Sequence, residues 1–248
     1  MGNARAGRVA LVTGAGSGIG RAIAELMGAR GVQVVVADID GARAEEVAAA
    51  IGGAAVVADV SSEASVDAMV EFTRDRFGAL DWAVNNAGIT PAPKAFADHA
   101  LVEWQRVIDV NLTGVFLCMR AELRHMVAQG HGAIVNISSG AGVVPAPGMP
   151  QYTAAKHGVL GLTKQAAQEY APAGIRVNAV LPGQTETEPM RAYLDAQPEL
   201  AARLTRGIPM GRMAAPAEIA NAVVWLCSDE ASYVSGASLI VDGAQIAR

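Results

Sequence analysis

The chain has 248 residues, a mass of 25.4 kDa and a formal net charge of −5. A chain of this length buries about 70% of its extended surface in one core; 52% hydrophobic residues exclude a disordered polymer, and glycines without a fixed period exclude a fibrous one. No run of 18 apolar residues is long enough for a membrane span, and interspersed charges leave no basic stripe, so neither a membrane nor a nucleic acid is an expected partner.

In chain order, Val9–Val12 is a continuous apolar run that predicts a buried strand. It enters Thr13-Gly14-Ala15-Gly16-Ser17-Gly18-Ile19-Gly20 and then a helix to about Arg30, closed by Gly31. A second strand, Gln33–Ala37, ends in Asp38 and precedes a helix over 42–51. A third, Ala54–Ala58, ends in Asp59, and Ser61 or Ser62 caps the next helix, which reaches Phe77. Asp81–Val84 leads into Asn85-Asn86-Ala87-Gly88, and a long helix is predicted over about 101–128. Asn111 and Gly114 sit inside it, and both are poor helix formers; such a local conflict marks a functional site.

Ala133–Ile137 is the fifth strand, 151–169 a long helix and Ile175–Val180 the sixth strand. After Pro182-Gly183 the alternation lapses until Met213, a stretch too long for a plain connection. It is expected to carry short helices and to act as a lid over about 185–213. Pro216 opens a further helix ending near Cys227, and Ala237–Val241 is the last strand. Strands that alternate with helices, several of them apolar throughout, predict a doubly wound, Rossmann-type α/β fold. Its seven-stranded parallel sheet is covered on both faces, in one domain spanning 1–248. Cys118 and Cys227 read as reduced core thiols, and the short polar start of the chain carries no signal-peptide pattern. A soluble cytoplasmic protein is therefore expected.

The glycine segment stands between a strand and a helix, the context of a dinucleotide-binding turn. Gly14 allows the tight turn, Gly18 lets backbone approach a pyrophosphate, and Gly20 lets the helix pack on the sheet; Ser17 and Ile19 belong to the same contact set. The helix N-terminus offers free N–H groups to phosphates. The spacing Gly14-x-Gly16-x-Gly18-x-Gly20 departs from the ordinary G-x-G-x-x-G, and a glycine turn can also be purely structural. Asp38 can accept both ribose hydroxyls of an adenosine and would repel a 2′-phosphate, so NAD is expected over NADP. It could instead cap the following helix. Asp59 with Val60 could meet adenine, or Asp59 could act as a helix cap.

Tyr152 and Lys156 lie four apart on a helix and share a face. An ammonium beside a phenol favours the phenolate, and such a pair can take a proton from an alcohol or return one to a ketone. Alone, the pair is common on helix surfaces. Around it stand Ser138-Ser139 after the fifth strand, Asn111 at the helix defect and Asn85–Gly88 after the fourth strand, all at the sheet edge where ligands bind in such folds.

In this order the motifs resemble those of the short-chain dehydrogenase/reductase family, from about Arg8 to Gly243. The family pattern T-G-x-x-x-G-x-G is matched by Thr13, Gly14, Gly18 and Gly20, and N-N-A-G by Asn85, Asn86, Ala87 and Gly88. The catalytic asparagine falls on Asn111, the serine on Ser139, and Y-x-x-x-K on Tyr152 and Lys156. The resemblance implies Tyr152 as general acid/base and Lys156 as the group that lowers its pKa and binds the nicotinamide ribose. It further implies Ser139, rather than Ser138, as the contact to substrate oxygen, and Asn111 as a proton-relay position acting through its main chain. The family P-G motif falls on Pro182-Gly183 and the carboxamide-binding threonine on Thr187. Thr185, where isoleucine or valine is usual, and the flanking Glu186 and Glu188 depart from the pattern; the two acids face the pocket or cap a short helix.

Substrate selection is expected from Gly140–Gln151 and from 189–213, with Gly140, Met149 and Met190 joining Ser139 and Tyr152 around the substrate. The apolar residues there suit a secondary alcohol or its ketone, possibly cyclic, although they could equally pack a lid on the body. No histidine spacing suggests a metal site, and none is expected. The resemblance implies a homotetramer, and the 50 alanines and 27 glycines are compatible with close helix contact. The expected activity is thus an NAD-dependent alcohol dehydrogenase or ketone reductase. A 3-oxoacyl thioester reductase is the alternative enzyme, and a nucleotide-binding regulatory protein the alternative without turnover.

Overall fold

The computed structural model describes residues 7–247. Its strands are β1 (Val9–Thr13), β2 (Gln33–Asp38), β3 (Ala54–Val57), β4 (Trp82–Asn85), β5 (Gly132–Ile137), β6 (Ile175–Pro182) and β7 (Ser238–Val241). They form one parallel sheet in the order β3-β2-β1-β4-β5-β6-β7, the Rossmann-type arrangement that the sequence predicts. The order reverses direction between β1 and β4, which opens a crevice at their carboxyl ends.

The central strands carry apolar residues on both sides because each side meets helices. Ala10, Val12, Val34 and Val36 enter one core with α1 (Gly18–Ala29), α2 (Gly41–Ile51) and α9 (Pro216–Cys227). Leu11, Val35, Ala37 and Ala83 enter the other, with α3 (Glu63–Phe77), α5 (Gly114–Gln129) and α6 (Pro150–Tyr170). A one-residue slip in register would exchange these two sets. Cys118 and Cys227 are buried free thiols, one in each core.

The helix ends follow from side chains beside them. Asp40, not Asp38, accepts the Arg43 N–H and caps α2, so the capping alternative for Asp38 falls. Ser62, not Ser61, caps α3. Gly52, Gly78 and Gly130 end their helices in the left-handed conformation that glycine adopts freely. Arg176 on β6 donates to the carbonyls of Leu226, Cys227 and Ser228, closing the C-terminal end of α9.

The helix expected over 101–128 is interrupted. α4 (Leu101–Ile108) passes into a π-turn over Asp109–Thr113 before α5 begins. The conflict marked by Asn111 and Gly114 is therefore a real break in hydrogen-bond spacing. Gly114 also lets the helix approach Val60, whose Cγ2 would stand 3.0 Å from an added Cβ. The lapse after Pro182 holds α7 (Glu188–Asp195) and α8 (Pro198–Arg206), the short helices expected there. Among the described residues, no helix is long and apolar enough to cross a membrane.

Candidate active site

The turn after β1 is built by backbone that only glycine serves. Gly14 and Gly18 have φ values of 61° and 56°, in the left-handed region. A Cβ on Gly20 would stand 2.2 Å from the Gly14 carbonyl oxygen. The Thr13 hydroxyl accepts N–H groups of Asn86 (3.0 Å) and Ala87 (3.1 Å), while Asn86 Nδ2 donates to the Thr13 and Gly14 carbonyls, each at 3.0 Å. The glycine turn and the Asn85–Gly88 turn are thereby laced across the crevice.

Ser17 precedes α1 without a side-chain cap bond, which leaves the first-turn amides to an outside acceptor. Ile19, in that first turn, packs on the core. Asp38 closes the far side. Its Oδ2 accepts the Gly16 N–H at 2.8 Å and its Oδ1 the Asp40 N–H at 3.0 Å, so the carboxylate is fixed against the turn. A left-handed glycine cradle, uncapped helix amides and a fixed carboxylate fit an adenine dinucleotide. Asp59 is differently placed. Its Oδ1 accepts both the N–H and the hydroxyl of Ser61, at 2.9 and 2.6 Å, a local turn that commits this oxygen.

Asn111 is fully buried in the π-turn. Its Oδ1 accepts the Ile89 N–H at 2.8 Å and its Nδ2 donates to the Ile89 carbonyl at 2.7 Å. A Cβ on Gly88 would stand 2.8 Å from that same Oδ1. The Asn111 side chain is therefore spent on holding the loop after β4, while the altered helical spacing lies in its main chain.

Ser138 and Ser139 part company. Ser138 is buried and donates to the Lys156 carbonyl at 3.0 Å, tying β5 to α6. Ser139 accepts the Ala141 N–H at 3.1 Å and caps a short helical turn over Gly140–Gly142. Met149 immediately precedes α6, which begins with proline at its first position. Lys156 is buried, donates to the Ile137 carbonyl at 2.8 Å and lies 5.6 Å from the centroid of the Tyr152 ring.

Burial shifts both members of this pair. Burial lowers the Lys156 pKa to about 8. Burial also raises the Tyr152 phenol above its ordinary value, and the Ser139 and Thr90 hydroxyls, rather than the lysine, oppose that rise.

Pro182 ends β6. Gly183 is required by close approach, since a Cβ would stand 2.7 Å from the Asp242 Cα. The Thr185 hydroxyl donates to the Gly183 carbonyl at 3.1 Å, and residue 185 bridges to Ala214. Thr187 caps α7 by accepting the Met190 N–H, and its methyl lies 3.2 Å from where a Gly18 Cβ would be. Glu188 lies in the first turn of α7, and Glu186 is 3.7 Å from Arg191. Leu194 and Ile208 are buried, whereas Val143, Val144 and Met210 are exposed. A cleft of about 720 Å³ between α7, α8 and the 211–215 segment contains none of Asn111, Ser139, Tyr152 or Lys156.

Two site neighbours are absent from the sequence reading. The Thr90 hydroxyl opposes the rise that burial imposes on the Tyr152 phenol pKa, and Ile246 lies 3.7 Å from a Cβ position on Gly140. Thr90 stands two residues past Gly88, which is the one signal that could have drawn attention to it. Ile246 is delivered by tertiary folding of the last residues, where Asp242 accepts the N–H groups of Ala244 and Ile246.

The sequence model of a family described as enoyl-(acyl carrier protein) reductase matches residues 14–244. The chain is 47% identical over 248 residues to cis-4-hydroxycyclohexanecarboxylate dehydrogenase of Sinomonas cyclohexanicum, with 98% of each chain covered. It is 45% identical over 240 residues to 2,5-dichloro-2,5-cyclohexadiene-1,4-diol dehydrogenase of Sphingobium indicum, covering 96% of each. The crystal structure of levodione reductase superposes with a TM-score of 0.93 at 38% identity, covering 97% of this chain and 98% of the other.

Proposed function

The chain belongs to the short-chain dehydrogenase/reductase family, and on that premise we propose that it oxidises a cyclic secondary alcohol, or reduces the ketone, with NAD(H). The family makes it an oxidoreductase dependent on a nicotinamide dinucleotide and acting on a small alcohol or ketone. The observation that carries the finer reading is that buried Lys156, bonded to the Ile137 carbonyl at the carboxyl end of β5, lies 5.6 Å from the centroid of the Tyr152 ring, with Ser139 two residues beyond Ile137.

A bound NAD(H) would supply hydride acceptance from the alcohol carbon, or donation to the ketone carbon. Gly14, Ser17, Gly18 and Ile19 hold its phosphates, Asp38 its adenosine ribose, and Asp59 and Val60 border the adenine. Asn86, Ala87 and Gly88 line the crevice, with Pro182, Gly183, Thr185 and Thr187 at the nicotinamide end. A fixed carboxylate at Asp38 disfavours a 2′-phosphate. That argues for NAD and against a thioester reductase of the NADP-dependent kind.

Tyr152 takes the hydroxyl proton of the alcohol at its phenolate oxygen, or gives the proton to the ketone oxygen. Ser139 donates to the same substrate oxygen and keeps it in reach. Lys156 supplies positive charge beneath the phenol, and Asn111 passes the proton onward through its main chain. Gly140, Met149 and Met190 border the substrate, and the segment over 185–213 closes as a lid.

The six-carbon rings in both relatives' names, together with the exposed Val143 and Val144 beside Ser139, support a ring substrate. Homotetramer formation is part of the same reading, and the apolar Phe116 and Val127 left exposed on α5 support it. The test is NADH appearance at 340 nm across cyclic and open-chain secondary alcohols, each run with NAD and NADP. Turnover of cyclic alcohols with NAD is expected. Equal efficiency with NADP, or oxidation of open-chain alcohols only, overturns the respective part of the reading.

A further inference from the structure

The end of the chain returns to the site. β7 stops at Val241, and the next side chain, Asp242, is buried. Its Oδ1 accepts the Ala244 N–H and its Oδ2 the Ile246 N–H, each at 2.9 Å. This turn holds Ala244 at φ 69°, the one non-glycine residue with positive φ among the described residues. Alanine takes that conformation at a cost, and it persists where surrounding contacts over-determine it. Besides the two carboxylate bonds, the Gly243 carbonyl accepts the Met210 N–H at 3.3 Å, and a Cβ on Gly243 would stand 2.8 Å from Ile208 Cγ2. The turn is thus pinned from within and against the end of the lid segment.

Its consequence is the placement of Ile246. Gly140 follows Ser139, and the space on its side-chain face is bounded by Ile246. Among the described residues, and apart from its chain neighbours, the atoms within 4 Å of a Cβ there are Ile246 Cγ2 at 3.7 Å and Cδ1 at 3.9 Å. Gly142 faces elsewhere, since its Cβ would stand 2.6 Å from Ser138 Oγ and 2.9 Å from the Lys156 carbonyl oxygen. The loop after β5 therefore turns one glycine to α6 and the other to Ile246. Ile246 is itself half-buried, so part of its side chain is covered and part is open.

We propose that Ile246 is a specificity-determining residue, forming the wall of the substrate site on the Gly140 side and setting the size of ring that fits beside Ser139. The proposal rests on the reading of Ser139 as the contact to the substrate oxygen. A β-branched side chain is stiff at χ1, and its backbone N–H is fixed by Asp242, so the wall yields little. An apolar wall discriminates by shape, and a methylene more or less against it changes kcat/KM by about tenfold or more.

The experiment measures kcat/KM for cyclooctanol and cyclohexanol with saturating NAD, in the parent protein and in Ile246→Ala, Ile246→Phe and Gly140→Ala. The ratio of the two substrates is read, so differences in the amount of active protein cancel. Ile246→Ala is expected to raise the ratio of large to small ring about tenfold, and Ile246→Phe to lower it about tenfold. Gly140→Ala narrows the same space with a methyl in ordinary contact with Ile246, and is expected to lower the ratio as well. Adding Ile246→Ala to Gly140→Ala is expected to bring it back. Ratios that do not move in the Ile246 variants overturn the proposal, as does a Gly140→Ala effect that Ile246→Ala fails to relieve. Should Ile246→Phe fail to bind NADH, Gly140→Ala carries the filling arm. Ser139→Ala measured alongside separates the two claims. If it keeps turnover, the reading of Ser139 fails. If it is inactive and the ratios stay fixed, only the role of Ile246 fails. A parent protein that turns over open-chain alcohols only overturns the ring reading, and the same ratio is then taken between pinacolyl alcohol and isopropanol, with the same expectations.

Discussion

Asp38 Oδ2 accepts the Gly16 N–H at 2.8 Å, joining the end of β2 to the glycine turn that follows β1. One carboxylate thus fixes the turn and sets the charge that an adenosine ribose would meet. Arg43 stands nearby, since its Cβ would lie 2.8 Å from a Cβ on Gly16, and its guanidinium is 3.4 Å from Asp40.

Asp38→Ala removes the repulsion toward a 2′-phosphate, with Arg43 nearby although paired with Asp40. The expected outcome is a loss of about tenfold in kcat/KM with NAD and a rise with NADP, so that discrimination collapses. Steady-state rates with both dinucleotides check this. Unchanged discrimination would place the selectivity elsewhere.

Gly20→Ala is expected to be costly for a packing reason. Its Cβ would stand 2.2 Å from the Gly14 carbonyl and 2.5 Å from Asn86 Nδ2, neither of which can yield without opening the lacing between the two turns. A destabilisation of about 1–3 kcal/mol is expected, with weakened NADH binding. Denaturant unfolding and NADH fluorescence titration give the two values.

Which of these features the sequence discloses depends on how local their causes are. The strands, the glycine turn and the break near Asn111 are written in neighbouring residues, through apolar runs, glycines and poor helix formers. The rest depends on residues far apart in the chain. Thr13 meets Asn86 across 73 positions, Arg176 closes a helix some 50 positions later, and Ile246 comes back to Gly140. Asp40 rather than Asp38 as the α2 cap was also beyond reading, because both acids stand within capping distance in sequence and only the backbone path chooses between them. The family motifs located Asn111, Ser139, Tyr152 and Lys156, but not Thr90, which no motif contains.

Glu122 offers a prediction away from the site. It is fully buried on α5, with Oε2 accepting from Asn85 Nδ2 at 3.0 Å, and burial raises its pKa to about 7. An acid whose folded pKa exceeds its unfolded one binds more protons when folded, so stability falls as pH rises from about 4.5 to 7 and then levels off. The full effect is on the order of 3 kcal/mol. Glu122→Gln, which keeps the shape without the charge, is expected to gain on the parent protein from about pH 5 to 7 and to hold that gain to about pH 8. Melting curves of both proteins across that range test it, and a constant difference contradicts it.

The central claim is that Tyr152 transfers the proton while other residues hold the dinucleotide. Tyr152→Phe removes only the phenol oxygen and leaves Lys156 bonded to the Ile137 carbonyl. The decisive measurement is NADH affinity and alcohol turnover of this variant on the same preparation. Affinity within about twofold of the parent and turnover reduced about a thousandfold or more are predicted. Turnover within about tenfold of the parent would contradict the account.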